Sequence, residues 1–356
     1  MADLYAQNVA DMVKGTLRKL GRRKFQQIAQ ELTHYEVMSQ WLDKDRVVFG
    51  DGYGVQRTLM TRTLGSFAHV GLWGTDNVKV GDHLQQLKVD WVHAKTDWAF
   101  ERRELLMNKG ESLVTNIIEP RRAAAMIDMV EGLEVAGFQA ATSGSDKTPM
   151  GLPHWIVKNA TTGFNGGYPT GPDGTAFTDV GTVNLTTVPN FKNYTAQYTN
   201  VTKADLIKLM RTGFREIGFK SPKRVINKDY SGASKLRIYM NEATISSMED
   251  LGEQQNENLG RDLASFDGEM VFHKIPMVYI PQLKNDSDNP IYMVDHSTFK
   301  TAILKGDYLR ESDALLVEGS HNAFNVFIDL SYQFFCVDRR RNAVFSTAAS
   351  DYIITS

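Results

Sequence analysis

The stretch NKGESLVTNIIEPRRAAAMIDMVEGLEVAGF, residues Asn108–Phe138, predicts the longest helix of the chain. Its apolar residues recur at intervals of three and four, which is the spacing of one helical face. Asn108 and Ser112 are candidate N-caps, and Gly137 stands where a helix is expected to end. If Ser112–Phe138 were wholly helical, the rod would be about 40 Å long. That length favours a scaffold for an extended molecule.

Pro120 interrupts this pattern. A proline inside a helix removes a backbone donor and clashes with the preceding turn, whereas a proline in the first helical turn is tolerated. The sequence therefore leaves two structures open. Either the helix is kinked at Pro120, or its regular part begins with Pro120 in the first turn.

Length and composition are those of an ordinary globular protein: 356 residues, 42% hydrophobic and 23% charged, enough for two or three domains. A net charge of -2 excludes a field strong enough to collect nucleic acid or to coat an anionic membrane. No apolar run approaches the ~20 residues that span a bilayer. Cys336 is the single cysteine, which excludes an intrachain disulfide and favours an intracellular origin.

Residues 1–42 predict one or two amphipathic helices, with a break near Gly21. Arg22, Arg23 and Lys24 form a basic cluster at the break. Because this cluster stands alone, a solvated junction between helices is favoured over a nucleic-acid site. A terminal helix of this kind can also pack as an arm on a neighbouring subunit.

Residues 47–107 change to the pattern of strands. The run Gly50–Gly54 predicts a turn and not a phosphate loop, because it lacks the Gly-Lys-Ser/Thr ending. Extended runs at 55–73 and 83–107 flank the turn-rich GTDNVKVGD and predict a long two-stranded ribbon. Such a ribbon is marginally stable alone in water. We therefore expect a partner surface, with Trp73 and Trp91 exposed as contacts.

The second half of the chain predicts a loop-built surface at 141–200 and then a mixture of helices and strands. Thr202 and Asp205 open a predicted helix that ends near Gly218, and Glu242–Asn256 predicts another. Pro276 and Pro281 favour an edge position for their strand. Strands are predicted at Arg224–Ile226, Leu236–Met240, Val271–His273, Pro276–Pro281, Ile291–Asp295, Thr298–Leu304 and Phe324–Val337.

No motif predicts catalysis, a metal or a cofactor. The eight histidines are scattered without zinc spacing, and the adjacent Asp, His and Ser at 295–297 do not make a triad by adjacency. Cys336 lies in an apolar strand, which favours a buried inert thiol. Asp286 and Asp288 could bind calcium weakly, but a solvated turn is favoured because an EF-hand loop needs more ligands. We predict no enzyme, no catalytic residue and no cofactor.

Four segments carry a resemblance to a known family. They are WAFERRELLMNKG at Trp98–Gly110, IIEPRRAAAMIDMVEGLE at Ile117–Glu134, TPMGLPHWIVKNATTGFNGG at Thr148–Gly167 and RRRNAVFSTA at Arg339–Ala348. In this order they resemble segments of the major capsid proteins of tailed bacteriophages, which have the Hong Kong 97-type (HK97-like) fold. The order of predicted elements resembles that α+β fold over nearly the whole chain.

The resemblance implies five regions. They are an N-terminal arm at 1–46, an extended β-hairpin called the E-loop at 47–107, a peripheral domain at 108–201 with its spine helix at 112–138 and a loop-rich segment, an axial domain at 202–290, and return strands with a tail at 291–356. Candidate inter-subunit contacts are Trp73, Lys79, Trp91, Trp98, Arg102, Arg121 and Arg122. Some relatives crosslink subunits through an E-loop lysine. Lys79, Lys88 and Lys95 lie in the ribbon here, but no motif carries that chemistry over.

The resemblance also implies a structural function without catalysis, as pentamers and hexamers of an icosahedral shell around double-stranded DNA. The implied partners are the protein itself, a scaffolding protein, a portal, a decoration protein and DNA bound non-specifically, with no membrane. Because no long scaffolding region precedes the arm, either a separate scaffolding protein is expected or the chain is a processed or naturally short form. The implied location is the virion capsid, assembled in the bacterial host cytoplasm. An encapsulin-like shell around protein cargo and a soluble enzyme with an unrecognised site are the alternatives.

Overall fold

The computed structural model describes residues 35–43, 47–63, 67, 69–72, 81, 83–107, 118–145, 147–219, 235–254 and 271–349. These residues divide into two compact units. The described residues of the smaller unit are 93–107, 118–133 and 304–331, and the remaining ones belong to the larger unit. Residues 1–34, the candidate caps Asn108 and Ser112, and the strand predicted at Arg224–Ile226 lie outside the described residues.

The described residues contain both helices and strands, so the chain is α+β as predicted. The α-helices are α1 Arg102–Met107, α2 Ile118–Gly137, α3 Leu152–Trp155, α4 Leu206–Ile217 and α5 Glu242–Gln254. A π-helical turn covers Val37–Trp41, and 3₁₀ helices cover Pro281–Asn285 and Arg339–Arg341. The strands are β1 Val47–Gly50, β2 Gly54–Met60, β3 Leu84–Asp90, β4 Val92–Glu101, β5 Tyr194–Gln197, β6 Leu236–Met240, β7 Val271–Phe272, β8 Ile275–Tyr279, β9 Ile291–Asp295, β10 Phe299–Leu304, β11 Arg310–Glu311, β12 Leu315–Leu316, β13 Ala323–Cys336 and β14 Ala343–Ser346.

Helix α2 is the described part of the long predicted helix. Pro120 is the third residue of α2 as described. The helix ends at Gly137, as the sequence predicts. A Cβ atom on Gly137 would lie 2.5 Å from Cγ2 of Val37, so this close approach of the π-helical turn requires glycine.

The predicted ribbon is shorter than expected. Strands β2 and β3 pair antiparallel from Gly54↔Asp90 to Met60↔Leu84. The run predicted as one strand to Met107 instead breaks at Trp91, and β4 pairs with β13. Strand β4 ends at Glu101. The next six residues form α1, because they are all Arg, Glu, Leu or Met, which are good helix formers.

The larger unit contains a six-stranded sheet in the order β5-β14-β9-β6-β8-β7. Helices α4 and α5 supply apolar residues to its core, including Met210 and Met248, which pack with sheet residues such as Met293 and Phe345. Strand β8 is second from the edge of this sheet, because the two-residue β7 pairs beyond it. The edge position predicted for Pro276 and Pro281 is therefore wrong. Pro281 instead begins a 3₁₀ helix.

A second sheet is built around β13. In the larger unit, β10 pairs antiparallel with the end of β13, from Phe299↔Cys336 to Ile303↔Tyr332. In the smaller unit, β11 and β12 pair antiparallel with the beginning of β13. At the end of β13, Phe334, Phe335 and Cys336 are buried.

The side chain of Arg339 holds the loop-rich segment. It is fully buried, and its Nε atom donates to the carbonyl of Trp155 at 2.6 Å. Nη1 donates to the carbonyl of Phe191 at 3.2 Å, while Nη2 donates to the carbonyl of Gly167 at 3.1 Å and to Oδ1 of Asn193 at 3.0 Å. Burial lowers the pKa of the guanidinium to about 10, so it stays charged at neutral pH. One charge thereby binds four oxygens from three parts of the loop-rich segment.

Replacing Arg339 with Ala should lower the free energy of unfolding by about 3–5 kcal/mol, because it leaves buried oxygens without donors. Urea unfolding of the dissociated subunit, followed by tryptophan fluorescence, measures this loss. The matched control is Arg340→Ala. Its side chain is 44% exposed and pairs with Asp338, so about 1 kcal/mol or less is expected. Equal losses of unfolding free energy in the two variants would contradict the conclusion that the buried hydrogen bonds of Arg339 stabilise the loop-rich segment.

Candidate functional site

The β2–β3 hairpin carries a group of exposed apolar side chains. Phe67 is 86% exposed and Leu72 is 96% exposed. The whole group comprises Met60, Phe67, Val70, Leu72 and Leu84. Single exposed apolar residues are ordinary, but several on one segment indicate an interaction site.

The base of the hairpin is fixed to the loop-rich segment. The N–H of Lys88 donates to the carbonyl of Gly181 at 3.2 Å and to Oγ1 of Thr182 at 3.1 Å. The Thr182 hydroxyl donates in turn to the carbonyl of Gln86 at 3.1 Å. Gly181 has φ 58, and a Cβ there would lie 2.6 Å from Cδ1 of the buried Leu87. The hairpin therefore has an ordered attachment and an exposed apolar surface.

Three of the predicted contact residues belong to this part of the chain. Trp73 and Lys79 lie outside the described residues. The expected exposure of Trp91 is wrong: the side chain is 8% exposed, and its Nε1 donates to the carbonyl of Gly52 at 2.8 Å. The strand breaks at Trp91, so the alternation of faces that predicted its exposure does not continue through it.

The other four predicted contacts lie in the smaller unit. Arg121 pairs with Glu104, Nη1 to Oε2 at 2.7 Å, and Arg122 pairs with Glu311. Arg102 is exposed, and Trp98 stacks on Phe100. Each arginine of the 121–122 pair already has a carboxylate partner within its own chain. The part of these residues in subunit contacts stays a prediction.

A groove lies between β4 and α2 in the smaller unit. Its volume is about 450 Å³. Ala124, Ala125 and Ile127 line it from the helix, and Trp98 lines it from the strand. Three acidic residues, Asp97, Asp128 and Glu131, also line it. The groove therefore combines apolar side chains with negative charge.

Trp41 anchors the π-helical turn in the larger unit. Its ring centroid lies 5.2 Å from Phe138, 5.0 Å from Phe299 and 5.4 Å from Phe334. Its Nε1 donates to the hydroxyl of Tyr239 at 3.0 Å. Aromatic pairs in such geometries stabilise a core beyond the area that they bury. The turn is thus part of the core and not a surface appendage.

Glu134 is the buried carboxylate at this anchor. Its side chain accepts the backbone N–H groups of Glu36 at 3.1 Å and Val37 at 2.9 Å. These two donors belong to the first turn of the π-helical segment, so Glu134 caps it from another helix. The pKa of Glu134 is raised to about 7, mainly by burial and also by the nearby Glu36 carboxylate, while the N–H donors oppose the shift.

Asp286 and Asp288 do not form the solvated turn that the sequence favoured. Both are buried, and both accept from the ammonium of Lys158, at 3.0 Å and 2.9 Å. Lys158 is remote in sequence, so spacing alone did not predict this cluster. The lysine fills the position in which a cation would have to bind. Among the described residues, no group of three His, Cys, Asp or Glu side chains is placed to hold a metal ion.

Other candidate reactive groups are buried or bonded within the chain. The thiol of Cys336 is buried, as predicted, and burial raises its pKa to about 12. His154 is fully buried, and burial lowers its pKa to about 3, so it is neutral. Nε2 of His296 lies 2.6 Å from the Tyr239 hydroxyl, while the Asp295 carboxylate accepts the N–H of Ser297. Within the part of the chain that the structure describes, no helix has both the length and the apolar character of a membrane span.

Sequence comparison gives no match to a family model and none to a curated protein. Solved structures do match. The chain resembles the capsid asymmetric unit of Cyanophage A-1(L), with a TM-score of 0.58 and 10% identity, over 94% of this chain and 99% of that one. It also resembles the capsid of a native GTA particle, with a TM-score of 0.58 and 12% identity, over 92% and 95% of the two chains.

The chain has the HK97-like capsid fold. A further capsid, that of Myoviridae phage XM1, matches with a TM-score of 0.53 and 9% identity, over 93% of this chain and 98% of that one. The fold that the four resembling segments implied is thereby confirmed. At such identities the likeness is carried by the arrangement of elements and not by shared side chains.

Sequence reasoning missed three residues on which the capsid fold depends here. Arg339 is one of three consecutive arginines, and nothing in the run marks it as the buried one. Lys158 likewise has no local signal. Glu134 does have a local signal. It follows Val130 by four residues, which places a carboxylate on the apolar face of the predicted helix.

Glu134 should make the stability of the capsid fold depend on pH. Because its pKa is raised, it stabilises the folded state below about pH 4.5, and that contribution is lost as the pH rises through about 7. Relative to Glu134→Gln, the wild type should therefore lose up to roughly 3 kcal/mol of unfolding free energy between pH 5 and pH 8. Urea unfolding of both proteins across this range measures the difference.

The matched control is Glu119→Gln, an exposed carboxylate on the same helix. Its stability curve should run parallel to that of the wild type. If the unfolding free energy of Glu134→Gln also changed with pH in parallel with that of the wild type, the buried carboxylate would not cause the pH dependence.

Proposed function

We propose that the protein is a major capsid (head) protein, which assembles with copies of itself into an icosahedral shell around double-stranded phage DNA. The observation that supports this most is the capsid fold, which covers 94% of this chain and 99% of the compared cyanophage chain. Its function is structural and non-catalytic. Pentamers and hexamers are the units of such a shell.

The exposed hairpin supports self-association. A closed shell requires each subunit to bury surface on its neighbours, and the core of such an interface is apolar. Phe67 and Leu72 supply exposed apolar surface in this chain, while the bonds of Lys88 and Thr182 fix the hairpin at its base. We assign the hairpin to the E-loop and α2 to the spine helix.

The remaining regions follow the same proposal. Residues 1–46 form the arm, 108–201 the peripheral domain, 202–290 the axial domain, and 291–356 the return strands and tail. Contacts with neighbours include Trp73, Lys79, Trp98, Arg102, Arg121 and Arg122. A scaffolding protein, a portal and a decoration protein are the expected partners. The shell assembles in the host cytoplasm and becomes the virion capsid.

A net charge of -2 is consistent with DNA as non-specific cargo. A strongly positive inner wall would bind phosphates through many ion pairs and would hinder packing and release of the DNA. Electron microscopy of protein expressed with its partners tests the proposal. Shells of tens of nanometres that contain nucleic acid would support it. Shells with protein cargo, or a monodisperse monomer under all conditions, would contradict it.

Charging the hairpin should block assembly without unfolding the subunit. The double variant Phe67→Asp with Leu72→Asp places two charges where we expect apolar contact, and the desolvation of each charge opposes burial. The measurements are sedimentation for shells, and urea unfolding for the subunit, which should be unchanged because both side chains are exposed.

Thr63→Asp is the matched control, because it adds a charge to an exposed position of the same segment without removing apolar surface. This variant should still form shells. Normal shells from the double variant would contradict a role for the hairpin in the assembly contacts.

A further inference from the structure

The loop-rich segment contains a buried histidine, and we propose that His154 is an acid-sensitive lock on this segment. When its imidazole takes up a proton, the segment opens and frees the base of the β2–β3 hairpin. The lock operates within one chain, so it does not depend on shell formation.

His154 is enclosed by aromatic rings. It lies in α3 and is fully buried. Its ring is nearly perpendicular to that of Phe177, with centroids 4.7 Å apart, and its centroid lies 5.7 Å from that of Trp155. Among the described residues, neither ring nitrogen of His154 has a hydrogen-bond partner. A charge that is buried without a partner is costly, so the closed segment requires the neutral imidazole.

Arg339 adds a second reason for this neutrality. Its Nε donates at 2.6 Å to the carbonyl of Trp155, the residue that follows His154. A proton on His154 would therefore set a second cation beside a buried guanidinium. The stretch whose phenyl ring packs on His154 also holds Asp173 and Asp179. The pKa of His154 is nevertheless lowered to about 3, first by burial and second by the charge of Arg339.

These surroundings make the opening of the segment depend on pH. The imidazole has its ordinary pKa of 6.5 when it is exposed in the open segment, and a pKa of about 3 in the closed one. Between these values the open state binds more protons than the closed state. The lock is therefore at full strength above about pH 6.5 and weakens as the pH falls toward 3. The equilibrium constant for opening should rise about 25-fold between pH 7 and pH 5.

The ring contact with Phe177 connects the lock to the hairpin. The N–H of Phe177 donates to the carbonyl of Pro169 at 2.9 Å, which closes one loop of the segment. Four residues further along the chain, the carbonyl of Gly181 and the hydroxyl of Thr182 accept the N–H of Lys88. A loop built on few backbone bonds opens locally before the sheets around it unfold. Loss of the contact at Phe177 should therefore release Lys88 while the sheets stay intact.

Glu134 responds to pH with the opposite sign and at another place. Its carboxylate accepts the N–H groups of Glu36 and Val37, and its raised pKa of about 7 makes its contribution to stability largest in acid. Acid should thus loosen the loop-rich segment while the anchor of the π-helical turn is strengthened. Opening of the segment alone is the expected result, and not unfolding of the whole chain.

Hydrogen exchange of the full-length chain at pH 7 and pH 5 tests the proposal. Protection is the measured rate of each amide divided into the rate of an unstructured chain at the same pH. The reporting amides are those of Ile156, Val157 and Lys88, which are hydrogen-bonded within or to the segment. Their protection should fall about 25-fold in acid, while the amides inside helix α4 keep theirs.

The variant His154→Gln lacks the titrating ring, so the acid-induced loss at these amides should disappear. His321→Gln is the matched control, because it removes an exposed histidine and should behave as the wild type. Both variants retain Glu134, so the comparison isolates the effect of His154. An equal loss of protection in the wild type and in His154→Gln would overturn the proposal. An equal loss at the reporting amides and in α4 would also overturn it, because it would indicate global unfolding.

A titration of the wild-type imidazole by NMR gives a readout that needs no variant. The His154 ring in the closed segment should stay neutral down to the pH at which the reporting amides lose protection. A ring that takes up its proton near pH 6.5 while these amides stay protected would show that the charge is tolerated inside, and the lock would not exist.

Discussion

The guanidinium of Arg339 is the constraint on which the loop-rich segment depends. Residues 156–193 contain no described helix or strand, so their backbone oxygens lack a regular set of partners. Buried polar groups must nevertheless be hydrogen-bonded, and an arginine offers five donors in one rigid plane. Arg339 places those donors among oxygens that include the carbonyls of Trp155 and Phe191. A single buried cation thus adds to the turn and bridge bonds of the segment by binding carbonyls that are distant in sequence.

The ordered loops in turn support the β2–β3 hairpin, which we propose as a contact with neighbouring subunits. Gly181 and Thr182 belong to the same segment, and they hold Gln86 and Lys88 at the base of the β2–β3 hairpin. The exposed apolar side chains of the hairpin are therefore presented from a fixed base. Such preorganisation reduces the entropy that is lost on association. The buried arginine and the base of the exposed hairpin thus both contact the loop-rich segment of the larger unit.

Much of the fold was predictable, because apolar periodicity reports local structure. The helix ending at Gly137, the helices following Asp205 and Asn241, and the strands near Ile291 and Phe324 follow from spacing together with local capping and stop residues. Long-range partners were not predictable. Lys158 reaches Asp286 across more than a hundred residues, and Trp91 is turned inward by a break between two strands. The capsid fold itself came from the resemblance of four segments, which periodicity could not supply.

The attachment of the hairpin has a consequence for its evolution. The bonds at its base use the N–H of Lys88 and the carbonyl of Gln86, atoms that nearly every amino acid provides. Thr182 is the participant that contributes a side chain, and it lies outside the hairpin. Substitutions along the exposed strands therefore leave this attachment intact. Side chains on the outward face of the hairpin can therefore be substituted without loss of the bonds that hold its base.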